Sequence, residues 1–257
     1  MATDAPWLKI FQDTGMRDHD FDSAPFVLTA EEIKSSCKGF SRTGEKEVRI
    51  LCKQDAREDR PAIFRQNGLF ILPKHNGEFY VLKGEGYVDI PDITTEIQTY
   101  HSKLDFELLS SRIGDSEMQH LDYAYANSLI RTFTNDPSLV LTIRGRKYTP
   151  AFDFKVGGFS LTTHGVQTEV DAGYEGKEQI VLIEAKNAHT SNTIIRQLYY
   201  PYRQWGVSTG KKVYPVFFEK RVVAGELIYH IWQYEFADEM NYNSIRLVRS
   251  QRFRIVR

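Results

Sequence analysis

The stretch QIVLIEAK, Gln179–Lys186, constrains this chain more than any other. Ile180 to Ile183 show no alternation of polar and apolar positions, so a strand built from them has both faces covered, as at the centre of a sheet flanked by helices. The strand ends on Glu184 and Lys186, and side chains two apart on a strand share a face. Glu169 and Asp171, on the strand-like segment before it, share a face for the same reason. Three acids and one base near a buried strand end are costly unless something compensates them. A divalent cation would. An ordinary ion pair at a strand edge, worth about 1 kcal/mol or less, would use the same Glu184 and Lys186; the uninterrupted apolar run before them favours a central strand.

The neighbouring elements are ordered to build such a sheet. DSEMQHLDYAYANSLIRTF reads as a long helix with Met118, Leu121, Tyr125 and Leu129 in an apolar stripe, capped by Asp115 or Ser116. SLVLTI, YTPAFDFKV, GFSLTTHGVQTEVDA and EQIVLIEAK read as strands. SNTIIRQLYYPYRQW then reads as a helix with Ile194, Ile195, Leu198, Tyr202 and Trp205 on one face and a kink at Pro201. Arg196, Gln197, Tyr200, Arg203 and Gln204 lie off that face, on a solvated side or toward a phosphate backbone. KKVYPVFFEK and GELIYHIWQYEF return to strands, giving an α/β order.

The first part of the chain is different. FVLTAEEIKSSCKGF starts a helix with Thr29 and Glu32 at capping-box spacing and Leu28 and Ile33 placed as a hydrophobic staple. EKEVRILCKQDA predicts a second helix, and a short third follows Pro61 and stops at Asn67-Gly68. LFILPKHNGEFYVLKG predicts a hairpin turning at Asn76-Gly77. Helices followed by a hairpin is the order of a winged helix, with Arg60, Arg65, Gln66 and Lys74 available to DNA; a small α+β cap on a larger domain is the plainer alternative. The expected division is an N-terminal α+β module over 1–109 and an α/β domain over 110–257.

A formal net charge of −1 excludes general polyanion binding by the whole chain, so nucleic-acid contact must use local basic patches. Two candidates are Arg144, Arg146 and Lys147, and the C-terminal Arg246, Arg249, Arg252, Arg254 and Arg257. His164 and His230 suggest no role, and His189 is expected at a helix start. Cys37 and Cys52 form no metal-binding or redox motif, so reduced thiols are expected. The N-terminus has no signal pattern and no apolar run approaches the roughly 20 residues that span a bilayer. A soluble, cytoplasmic protein with no membrane partner is the expectation.

Asp171, Glu184 and Lys186 form the pattern D-x12-E-x-K on a hairpin whose turn is GYEGKEQ. This resembles the PD-(D/E)XK nuclease superfamily, with Val170 where the motif has proline. The resemblance covers roughly Ser111 to Phe236, and it implies a restriction-endonuclease-like mixed sheet flanked by helices. It also implies that Mg²⁺ is held by Asp171, Glu184 and the backbone carbonyl of Ala185, with Lys186 orienting or deprotonating the attacking water. Glu169 could hold a second metal or orient water. Glu117, with Asp122 as substitute, could supply the acid that many members take from the first helix. Within the superfamily a chain of this length with an added module looks most like a type II restriction endonuclease, cutting double-stranded DNA as a homodimer. A structure-specific or repair nuclease of the same fold and a DNA-binding regulator with an inactive nuclease-like domain are the alternatives.

Overall fold

The computed structural model describes residues 3–256; Met1, Ala2 and Arg257, the last of the C-terminal arginines, lie outside the described residues. The N-terminal region runs α1 (Asp4–Asp13), β1 (Phe26–Thr29), α2 (Ala30–Ser36), α3 (Thr43–Lys46), α4 (Val48–Leu51), α5 (Ala62–Gln66), β2 (Leu69–His75) and β3 (Glu78–Lys83). Its three strands form one antiparallel sheet in the order β1-β3-β2. The α2 capping box is complete: Thr29 Oγ1 accepts from the Glu32 amide at 3.2 Å, and Glu32 Oε2 accepts from the Thr29 amide at 2.7 Å. Leu28 and Ile33 are both buried in the core beneath it, with Trp7, Ile10 and Phe64. The β2–β3 hairpin turns at Asn76-Gly77, where Gly77 has φ +85° and so suits a residue without Cβ. The single helix expected across 45–56 is instead two single turns, α3 and α4, broken by extended backbone at Glu47. After the break the Leu51 carbonyl meets Trp7 Nε1, which donates to it at 3.2 Å.

The remainder runs β4 (Tyr87–Asp89), β5 (Gln98–His101), α6 (Glu117–Ala126), α7 (Leu129–Thr134), β6 (Val140–Tyr148), β7 (Phe152–Val156), β8 (Phe159–Thr163), β9 (Gln167–Glu175), β10 (Gln179–Lys186), β11 (Asn192–Ile194), α8 (Arg196–Thr209), β12 (Lys212–Val223), β13 (Glu226–Phe236) and β14 (Ile245–Val256). Seven strands form a mixed sheet in the order β5-β14-β13-β12-β10-β9-β6. β10 is antiparallel to β9 and parallel to β12, the parallel pair being joined through α8. The helix expected over 115–133 is split at Asn127-Ser128, where Ser128 takes the left-handed conformation at φ +64°. Ser116 caps α6, its Oγ accepting from the Gln119 amide at 3.1 Å.

Both faces of β10 are covered, as its sequence requires. Val181, Ile183 and Ala185 pack on α6 and α7 through Leu121, Ala124, Ile130 and Phe133. Ile180 and Leu182 pack toward α8, with Val170, Val213 and Trp205. Each fully buried aliphatic side chain here contributes roughly 2 kcal/mol.

A further core joins the N-terminal hairpin to the large sheet: Phe70, Leu72, Tyr80 and Leu82 lie in one cluster with Tyr199, Tyr200, Trp232 and Tyr242. Tyr200 Oη donates to the Pro73 carbonyl at 2.8 Å, and Thr163 Oγ1 donates to the Lys74 carbonyl at 2.6 Å. The expected boundary at 109/110 falls beyond strands that already belong to the second region. β4 pairs with β11, and β5 is the edge strand of the large sheet, beside β14. β5 reads QTYH, which carries no apolar alternation to announce a strand.

Candidate active site

The β9–β10 ladder runs from the pair Glu175–Ile180 to the pair Ala172–Ile183 and stops there. One residue further on, the Asp171 side chain replaces the backbone partner: its Oδ2 accepts from the Ala185 amide at 2.8 Å. On β10, Lys186 Nζ donates to Glu184 Oε1 at 2.5 Å. Asp171, Glu184 and Lys186 therefore meet at one end of the hairpin.

A bulge determines how Asp171 reaches this point. Ile143 pairs with Gly173 and Gly145 with Val170, so three steps on β9 span two on β6. Val170 points into the core beneath α8, whereas Ala172 and Tyr174 point into the core beneath α6 and α7. Plain alternation is interrupted between them, so the shared face expected for Glu169 and Asp171 does not follow from strand periodicity. Close packing fixes the bulge: a Cβ on Gly173 would stand 2.7 Å from Ile143 Cβ.

The site is buried and charged. Glu184 is 9% exposed, and burial pushes its carboxyl up to about 7, with Asp171 adding to the rise and the Lys186 ammonium opposing it. Burial also raises Asp171, against the Ala185 hydrogen bond and Lys186; the charges of Glu117 and Glu169 add to the rise. Burial alone would lower the Lys186 ammonium, but the Glu184 charge beside it, helped by Asp171 and Glu117, holds it above its ordinary value. Glu117 and Glu169 thus both act on Asp171, Glu117 from the first turn of α6. Glu169 is exposed and pairs with Arg146 at 3.3 Å, and Asp122 is engaged by Arg144. Among the described residues no group of three or more His, Cys, Asp and Glu side chains stands ready to hold a metal. The acids at this strand end are Asp171, held on the Ala185 amide, and Glu184, held on Lys186.

Two anchors hold the surroundings. Asp115, ahead of α6, accepts from the buried Lys220 Nζ at 2.6 Å and pairs with His120 Nε2 at 2.6 Å, while its carbonyl accepts from Asn187 Nδ2 at 2.7 Å. The loop after Lys186 is tied by the fully buried Glu219, whose Oε1 accepts from the Thr190 amide at 2.8 Å. His189 belongs to that loop, 3.2 Å from Asp92, and not to a helix start. A cavity beside Glu184 is lined by Glu169, Gln197 and Pro201. Pro201 has no amide to give the Gln197 carbonyl one turn earlier. Asp55, from the N-terminal region, adds to the rise of the Glu184 carboxyl and lies 3.7 Å from Arg196. Sequence reasoning missed Asp55 and Asp115, because no spacing rule links them to the hairpin.

Residues 82–254 match the family described as "Domain of unknown function (DUF6997)", which is most of the chain. The chain belongs to that family. Residues 4–81 match a second, "Domain of unknown function (DUF6996)". No curated protein and no solved structure matches.

The candidate site lies wholly within the DUF6997 region, apart from Asp55. In that region several residues expected to face phosphate are otherwise engaged. Tyr200, Arg203 and Gln204 are buried, because the N-terminal hairpin and the β7–β8 hairpin cover the second side of α8. Arg203 Nη1 donates to the carbonyls of Asp153 and Glu239, and Gln204 Oε1 accepts from Thr168. The C-terminal arginines lie on β14 and find partners across the sheet: Arg246 on Glu235, Arg249 on Gln233, Arg252 on the Thr95 carbonyl and Arg254 on Glu226. In the DUF6996 region Arg60 donates to backbone carbonyls and lies over the Tyr87 ring, Arg65 donates to the Arg60 carbonyl, and Lys74 pairs with Glu78. No helix among the described residues is long and apolar enough to cross a membrane.

Proposed function

We propose that the chain is a Mg²⁺-dependent endonuclease of the PD-(D/E)XK type that hydrolyses phosphodiester bonds in double-stranded DNA. The observation that carries the reading is the meeting of Asp171, Glu184 and Lys186 beyond the last β9–β10 pair. Element order supports it too: helices before the antiparallel run β6-β9-β10, whose last hairpin bears the acids, then a crossover helix and β12 parallel to β10.

The residues suit the metal. Mg²⁺ takes hard oxygen donors, and Asp171, Glu184 and the Ala185 carbonyl would hold it. The carbonyl leaves β10 on the same side as the amide bonded to Asp171, past the end of the ladder. When bound, the ion would polarise a phosphoryl oxygen and lower the pKa of a water. Lys186, kept cationic by its acidic neighbours, stabilises charge developing on the phosphate and orients the attacking water. Glu117 and Glu169 draw cations toward the same point, and Arg196 and Gln197 are the half-buried α8 residues beside it, Arg196 lying 3.7 Å from Asp55 and Gln197 Oε1 accepting from Thr193 at 2.6 Å.

A second region next to the site favours site-specific cleavage by a homodimer, as in type II restriction enzymes, over a repair role. The winged-helix reading of that region draws support from its helix–strand–helix order and its β1-β3-β2 sheet. The test is digestion of unmodified linear DNA with purified protein and Mg²⁺. Discrete fragments whose ends share one short sequence are expected. A smear or cutting confined to branched DNA would reverse the ranking, and no cutting of any DNA would end the nuclease reading.

A further inference from the structure

We propose that the surface of α2, α3 and α4 around Lys38, Arg42, Lys46 and Arg49 is a docking face for the phosphate backbone of duplex DNA. The inference takes the polymer from the nuclease reading, but its test does not pass through cleavage.

Charge is the first argument. Between Lys34 and Lys53 the chain has six cations and two carboxylates, in a protein of net charge −1. All six cations are exposed. Lys53 lies 3.6 Å from Asp55, but among the described residues the other five have no carboxylate at ion-pairing distance. Elsewhere in this region Lys9, Lys74 and Lys83 are neutralised by Asp13, Glu78 and Asp22. A set of exposed cations left without carboxylates on a neutral protein is the footprint of a polyanion contact.

Packing is the second argument. α3 lies on α1 and α4 on α2, while Ile33, Cys37 and Leu51 turn inward to the core. The inward side being apolar, the cations of these short consecutive elements are left on the outer side.

The third argument is the path from this surface to the candidate active site. Lys53 is two residues from Asp55, about 7 Å of extended chain. The Asp55 carbonyl accepts from the Ile194 amide at 2.8 Å, just ahead of α8, and its carboxylate lies 3.7 Å from Arg196. The basic surface is thus linked to the start of α8, beside the candidate site, through Lys53 and Asp55. Arg60 ahead of α5, Arg65 on α5 and Lys74 on the hairpin, which a winged-helix contact would use, are committed to internal partners.

The experiment is fluorescence anisotropy with a labelled duplex of about 30 base pairs, roughly three helical turns, in EDTA over a series of salt concentrations. Wild type is compared with the combined Lys38→Glu, Arg42→Glu, Lys46→Glu, Arg49→Glu variant and with the matching alanine variant, circular dichroism reporting the fold of each. Binding should weaken ~100-fold or more on charge reversal, and the slope of log affinity against log salt should fall by about 3–4. The alanine variant should show the same loss of slope if the reversal fails to fold. Unchanged affinity and slope in a folded variant would overturn the proposal, as would wild type binding phosphatidylserine vesicles but not duplex. Wild-type binding that the variants lose, without cleavage under Mg²⁺, would keep this surface and remove the nuclease reading. Cleavage with binding untouched by the variants would do the reverse.

Discussion

The Asp171 carboxylate and the Ala185 amide are joined at 2.8 Å one residue beyond the last backbone pair of β9 and β10. One carboxylate oxygen thus serves as a strand partner, and the other is left to the site. Fold and chemistry share a side chain here, so the two uses can be separated by substitution.

Asp171→Asn keeps an acceptor for the Ala185 amide and removes the charge. The variant should melt with wild type, while cleavage of DNA with Mg²⁺ falls ~10³-fold or more. Glu184→Ala and Lys186→Ala should lose activity on the same scale. Wild-type turnover in Asp171→Asn would take the Asp171 charge out of the chemistry.

The Glu184 carboxyl is raised from 4.5 to about 7 by burial, so across that interval the folded chain holds a proton that the unfolded chain releases. Stability from this group is therefore complete below pH 4.5 and is lost as pH climbs through 7. Glu184→Gln cannot ionise. Urea unfolding should find it more stable than wild type at pH 8, with the gap closing toward pH 5. Added Mg²⁺ should raise the wild-type midpoint at pH 8 and leave that of the variant where it was. A gap that does not change with pH would contradict the assignment.

His230 titrates in the opposite sense. It is 2% exposed, and burial, aided by Arg221, lowers its imidazole to about 4. The unfolded chain then binds the extra proton between pH 6.5 and 4, so stability rises with pH through that window and is lost as pH falls. Replacing it by Phe, which can stack on Trp232 as the imidazole does, should remove ~2–3 kcal/mol of the acid sensitivity. Denaturation curves at pH 4.5 and 7.5 for both proteins give the comparison.

Leu72→Ala probes the core common to the two regions. Leu72 is fully buried in the cluster that includes Tyr199 and Trp232. The loss should be ~2–5 kcal/mol, and unfolding should stay a single transition whichever region is monitored. Two separated transitions would show that the regions fold independently.

What could be read from the sequence depended on whether the cause was local. The continuous apolar run of β10, the Thr29–Glu32 box and the Asn76-Gly77 turn each carry their physics within a few residues, and each stands as expected. The bulge at Asp171 does not, since it follows from how Ile143 and Gly145 meet the opposite strand. The arginines of β14 lack acids only along the chain; Glu226 and Glu235 reach them from β13. Helical periodicity implies one covered side of α8 and puts Arg203 and Gln204 off it; the covering of the other side comes from distant segments, Tyr148, Asp153 and Thr168 against Arg203 and Gln204 and the N-terminal hairpin against Tyr200.

The core that holds Phe70 and Leu72 against Tyr199 and Tyr200 also bears on descent. A gene broken between the two family regions would yield two products, each with an aromatic face bare to water. Such a break would survive only if both pieces were made together and met before they aggregated. A change of volume in the hairpin accordingly calls for an answering change near α8.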